Sequence, residues 1–223
     1  MESKQINKSP FTDNKFLELV KNLSKQNNFE VYKKGYFIDG GVLYNIGNRD
    51  YVDYRPSLKT TQKELQKRKI ATLQLDSLSY EQVRVLLKSK QCKDIIIKKS
   101  DRSISLNLPA NYDLYLNNLG KKKRHELKRK KSKFSTQLGE IDLQSSNELE
   151  IFNKFVEQHK LSYGEKGSFM NKDVELFFRS LLSIKGWKIY FIESQNLLIS
   201  SAFVYENRKG CYLYNSTKNS QFD

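Results

Sequence analysis

Residues 187–219 read WKIYFIESQNLLISSAFVYENRKGCYLYNSTKN, and this stretch decides the fold. Its aromatic and β-branched runs are Trp187–Glu193, Leu197–Tyr205 and Gly210–Asn215, parted by the turn signals Gln195–Asn196 and Asn207–Gly210. Such runs predict three strands, and short turns favour antiparallel neighbours, so the pattern reads as a meander. Upstream, Asn171 opens a helical pattern whose buried face is Val174, Phe177, Phe178, Leu181 and Leu182, closed by Gly186. Gly164 and Gly167 mark a loop. Ser145 or Ser146 opens another helix through Leu149, Phe152, Phe155 and Val156 to His159, and Gly139–Leu143 reads as a short strand. The expected order from Gly139 is strand, helix, helix, then three strands. Trp187, Ile189, Phe203, Val204, Phe152 and Phe177 are the expected core.

Residues 119–134, LGKKKRHELKRKKSKF, carry the densest charge in the chain. Leu119, Leu127 and Phe134 fall at helical intervals there. The spacing predicts a basic helix docked through a thin apolar seam, with Arg124, Lys128 and Lys131 exposed. Tyr112, Tyr115, Leu116 and Leu119 follow the same periodicity just before it. Asn111 is placed to cap that aromatic helix, and Gly120 to end or kink it.

The first hundred residues give shorter signals. Thr12 or Asp13 caps a helix carrying Phe16, Leu17, Leu19, Val20 and Leu23. Glu30–Tyr32, Gly41–Ile46 and Ile70–Leu75 read as strands, and Ser79 caps a helix with Val83, Leu86 and Leu87. Asp94–Ile97 and Ser103–Leu108 run apolar or alternate, as strands do. The fold class expected is α/β, an α+β mixed sheet.

The formal net charge is +15, which favours phosphate-rich ligands, nucleic acid or anionic surfaces, or reflects a lysine-rich proteome. Cys92 and Cys211 are the two cysteines and His125 and His159 the two histidines, too few for a structural zinc site or a disulfide framework. Cys211, beside Gly210 in a strand, is expected to be a buried, inert thiol. The most apolar late stretch, Tyr190 to Tyr205, is broken by Glu193, Gln195 and Asn196, so no membrane span is expected. The N-terminus has no apolar signal core, and a cytoplasmic setting is the default expectation.

The strand–helix–helix–three-strand order resembles the first part of an acetyltransferase domain of the GNAT superfamily. LPANYDLYLNNLGKKKRHELKRKKSKF (108–134) resembles a segment of the GNAT group related to cellulose-biosynthesis CelD/BcsL proteins and to FemAB-like transferases. FVEQHKLSYGEKGSF (155–169) is similar to that group's helix ending in His before a glycine loop. WKIYFIESQNLLISSAFVYENRKGCYLYNSTKN is similar to its central hairpins. IGNRDYVDYRPSL (46–58) is similar to a turn of the group's degenerate first half. The resemblance implies a degenerate N-terminal GNAT-like half over 1–100 and an acyltransferase domain over 101–223. In GNAT domains the loop and helix after the fourth strand hold the coenzyme A pyrophosphate on a helix N-terminus. Here Asp223 follows that strand closely, so the resemblance implies a C-terminally incomplete domain of impaired activity.

The implied reaction is N-acyl transfer from acyl-CoA, as co-substrate, to an amine or sugar-linked acceptor in polysaccharide or envelope assembly. Tyr212, Tyr214 and Asn215, at the end of the last strand, are the implied donor-binding residues; ordinary aromatic packing is the alternative. Arg124, Lys128 and Arg129 are the candidates for donor phosphates or a charged acceptor, against a solvated helix face. His159 is a candidate general base, with an unperturbed pKa of about 6.5, or a helix-end capping residue. Glu165 is a second candidate base. A non-enzymatic nucleic-acid-binding module is the reading from another class. FemAB-like relatives use aminoacyl-tRNA, so tRNA is a further partner that the resemblance allows.

Overall fold

The computed structural model describes residues 9–88, 94–99, 103–139, 141–162 and 164–222, without the side chains of Glu165, Lys166 and Phe222. It is a mixed α/β structure with two four-stranded sheets. The chain divides into two compact units, residues 1–102 with 172–184, and residues 103–171 with 185–223.

In the first unit, Asp13 Oδ1 accepts from the backbone N–H of Lys15 (2.8 Å) and Phe16 (3.4 Å) and so starts α1, Asn14–Leu23. The helix Lys172–Leu182 packs on α1, with the Phe177 ring edge-on to Phe16 at 6.0 Å. Both carry the apolar stripe read from the sequence. The sheet runs β1 (Glu30–Lys33), β2 (Tyr36–Asp39), β3 (Val42–Asn45) and β4 (Thr72–Gln74). The first three are antiparallel neighbours, and β4 joins β3 in parallel. A parallel step needs a crossover, which α2 (Gln62–Lys67) supplies. Thr61 and Glu64 form a reciprocal capping box at its start. Tyr36, Leu43, Leu65 and Ile70 form the core under this sheet. Ser79 and Gln82 make the same kind of box before α3 (Tyr80–Lys88).

The 46–58 turn is held by Arg55, whose side chain is 0% exposed. Its guanidinium donates to the Ile46 and Gly47 carbonyls and, at 2.9 and 2.6 Å, to Asp76 Oδ1. A buried charge is tolerated only when paired and hydrogen-bonded, as here. Gly47 has φ +82°, and a β-carbon there would lie 2.0 Å from Val20 Cγ1. These contacts give the motif a structural account.

In the second unit, Asn111 Oδ1 accepts from Leu114 N (2.9 Å) and starts α4, Tyr112–Asn118. Helix α5, Lys121–Leu138, follows a break at Leu119–Gly120. Strand β5 is Gln144–Ser146, and α6 is Leu149–Lys160. The short α7 is Glu165–Phe169; β6, β7 and β8 are Trp187–Ser194, Leu197–Asn207 and Gly210–Lys218. The sheet order is β5-β6-β7-β8, antiparallel throughout. The meander read from the sequence is present. Gln195 (φ 51°) and Asn196 (φ 64°) supply consecutive positive φ values, which a two-residue I′ hairpin requires.

Several expectations change. The strand expected at Gly139–Leu143 lies at Gln144–Ser146, where Ser145 and Ser146 pair with Tyr190 and Ile189. Those serines therefore do not open the next helix; Glu148 does, with its N–H donating to Ser146 Oγ at 3.0 Å. The stretch expected as a loop at Gly164–Gly167 is the start of α7, with Gly164 at its N-cap and Gly167 inside it. Strand β8 continues past Asn215, because Ser216 and Thr217 still pair with Ala202 and Ser201. The described residues of Asp94–Ile97 and Ser103–Leu108 form no strand, and Ile96 (88%) and Ile104 (95%) are exposed. Alternation marks a strand-compatible segment, but a strand also needs a partner edge.

The seam of α5 is not docked as expected: the helix buries no residue, and Leu127 is 36% exposed. Leu119 belongs to the cap of α4, leaving Leu127, Phe134 and Leu138 within about 40° of helical projection. A core-facing helix needs an apolar stripe of about 100° or more.

Candidate functional site

The β6–β8 meander has a packed face and a more open one. On the packed face, Trp187, Ile189 and Phe191 stand across from Tyr205, Phe203 and Ser201. Helix α6 covers it, with Phe155 5.8 Å from Phe203 between ring centroids. Gln158, buried in α6, ties helix to strand: Nε2 donates to the Leu198 carbonyl (2.9 Å) and Oε1 accepts from Ser201 Oγ (3.1 Å).

Strand β8 is an edge of this sheet. Its register with β7 shifts at the middle: Phe203 opposes Asn215 and Val204 opposes Leu213, so Tyr214 is the extra residue of a bulge. A bulge breaks the ladder locally and bends the strand. The structure brings Tyr212, Tyr214 and Asn215 together at this bend. The Tyr214 ring meets Trp187 edge-on at 5.1 Å, and Tyr212 lies 6.1 Å from Tyr205. Both rings are half-buried packing elements.

On the more open face, Tyr190 Oη donates to Glu206 Oε2 at 2.8 Å and Lys188 Nζ donates to the same oxygen at 3.0 Å. The Tyr190 hydrogen bond, then Lys188, holds the Glu206 carboxyl below the usual glutamate range. Cys211 pairs with Glu206 across the strands and is exposed, contrary to the buried thiol expected. Edge position and the open face explain this. Partial burial, then the Glu206 charge, pushes the thiol up from its ordinary value.

His159 is 2% exposed, with Phe155 edge-on at 4.8 Å and Phe169 at 6.4 Å. The imidazole is therefore in the aromatic interior beneath α6, where the stripe Phe152, Phe155, Val156, His159 places it. Glu165 opens α7, and its side chain lies outside those described.

On α5, Lys128 and Arg129 line an open depression of about 710 Å³ together with His125, Ser132, Lys133 and Thr136. Arg124 is half-buried and stands apart from that lining. Arg129 is already engaged: Nε and Nη2 donate to Glu126 at 3.1 and 3.0 Å, and Lys130 lies 3.7 Å from the same carboxylate. The Arg129 hydrogen bond holds Glu126 below the usual range. Glu126 was the residue that charge counting overlooked, though its i, i+3 and i, i+4 spacing to Arg129 and Lys130 was legible. Gln158 and Glu206 were missed because their partners come from other elements.

No described helix is long and apolar enough to cross a membrane. Compared with known proteins, the chain matches no family model, and no curated protein matches it at a significant level.

Proposed function

We propose that the second unit is an acyltransfer module of the GNAT kind, in which an acyl-CoA donor lies along the outer edge of β8. The observation that carries this reading is the bulged edge strand at Leu213–Asn215. An edge strand can take on a further strand, and an extended amide-bearing arm such as pantetheine can pair with it in that way. Tyr214 and Asn215 mark the bend where such an arm leaves the strand. The antiparallel order β5-β6-β7-β8, with α6 on one face, agrees with the order on which the resemblance rests.

In this reading an acceptor amine attacks the thioester carbonyl. The new C–N bond forms, the C–S bond breaks, and the coenzyme A thiol leaves with a proton. A backbone N–H of the protein polarises the carbonyl oxygen. His159 supports the α6 side of the sheet from the interior. The acceptor class, an amine or a sugar-linked group, rests on analogy alone.

Equilibrium titration of the 223-residue chain with acetyl-CoA, pantetheine and adenosine 3′,5′-bisphosphate tests the assignment. Edge recognition predicts that pantetheine competes with acetyl-CoA. Competition by the bisphosphate alone, or no binding of acetyl-CoA, contradicts it.

A further inference from the structure

We propose that α5 is a docking helix for duplex DNA, a binding role independent of acyl transfer. Nine of its 18 residues are Lys or Arg, against one acid, Glu126. Their arrangement around the helix is more specific than their number. At about 100° per residue, His125, Ser132 and Thr136 fall within about 40° of one another, on the side opposite Leu127, Phe134 and Leu138. Lys121 and Lys128 run along one flank of that stripe; Lys122, Arg129 and Lys133 run along the other. Apart from Arg124, Glu126, Phe134 and Leu138, every residue of α5 is exposed. The depression lined by His125, Lys128, Arg129, Ser132, Lys133 and Thr136 covers this face and extends to Gln137.

A row of small hydrogen-bonding side chains between two rows of cations matches a groove with phosphates on both walls. The B-form major groove, about 12 Å wide, admits an α-helix, whereas the A-form groove of RNA is deep and too narrow for one. The helix is about 27 Å long, a little under one turn of duplex. An anionic membrane surface fits less well. Surface helices present a broad apolar face, and here the apolar line spans only about 40° in projection, with Lys123 and Lys131 directly beside it. Single strands are bound on aromatic platforms, and no aromatic residue lies on the exposed stripe.

The test is binding of the full chain to a mixed-sequence duplex of about one and a half to two turns, over a salt series. Four phosphate contacts, from Lys121, Lys122, Lys128 and Lys133, predict a log–log slope near −4, or roughly a hundredfold loss of affinity between 50 and 200 mM salt. Changing these four residues to Gln keeps helix propensity and, with helicity checked by circular dichroism, should flatten the slope and weaken binding at least about tenfold. A charge-matched control, Lys63→Gln, Lys67→Gln, Arg84→Gln and Lys88→Gln, removes exposed cations from other helices and should bind as the parent does. Glu126→Gln frees Arg129 and Lys130 and should steepen the slope by about one. The proposal is overturned if the control weakens binding as much as the α5 variant, if Glu126→Gln leaves the slope unchanged, or if tRNA or anionic vesicles bind more tightly than duplex DNA.

Discussion

Cys211 shows how one residue depends on its strand's place in the sheet. Next to a glycine in an apolar strand it reads as buried, yet β8 is an edge and its thiol is exposed. In a Cys92→Ser background, Cys211 should be alkylated in the native state, at a rate that climbs with pH past the range of an ordinary thiol, because burial and Glu206 disfavour the thiolate. Protection from alkylation at all pH values would contradict this. Glu206 works in the opposite direction. Its folded pKa is depressed by Tyr190 and Lys188, so its stabilising contribution is complete above the unfolded carboxylate pKa and fades as pH falls through the folded value. A carboxyl-resolved NMR titration should place Glu206 below ordinary glutamates, and Tyr190→Phe should move it back. Gln158 is the buried case: Gln158→Leu removes its hydrogen bonds to the Ser201 hydroxyl and the Leu198 carbonyl, and should cost about 1–3 kcal/mol by chemical denaturation. Residue roles of this kind were legible where the partner is local. Ser79 and Asn111 cap their helices as read, and Asp13 is the one of the two candidates that caps α1, since a cap bonds two or three residues away. The partners of Gln158 lie 40 and 43 residues on, beyond what periodicity reports.

Elements were legible where pattern and turn chemistry agree. Gln195–Asn196 and the flanking aromatic runs fix the meander before any packing is considered. The four-residue β2 was missed, being a short run between Gly35 and Gly40 whose pairing with β1 and β3 defines it. Ser103–Leu108 failed in the opposite sense, with alternation but no partner edge. Helix α5 exists as read, but its seam is too narrow to bury. Leu127→Asp should therefore change stability by no more than about 0.5 kcal/mol, whereas Trp187→Ala, which removes a 3% exposed ring packed on Phe203, Tyr205 and Tyr214, should cost about 3–5 kcal/mol. Equal costs from the two changes would mean that α5 is docked after all.

At the scale of the whole chain, charge and sheet architecture point to separate tasks. The net charge of +15 concentrates on α5, and the bulged sheet edge belongs to β8. The mixed α/β class was legible from element order. The bulge at Tyr214 was not, because it arises from a register shift between β7 and β8. That bulge and edge carry the acyl-donor reading. Amide hydrogen exchange of the full chain, with and without saturating acetyl-CoA, tests it most directly. Donor bound along the edge should slow exchange across Gly210–Lys218, most at Leu213–Asn215, with little change in α5. Binding that leaves the β8 amides unchanged, or protection confined to Lys121–Leu138, would contradict the account.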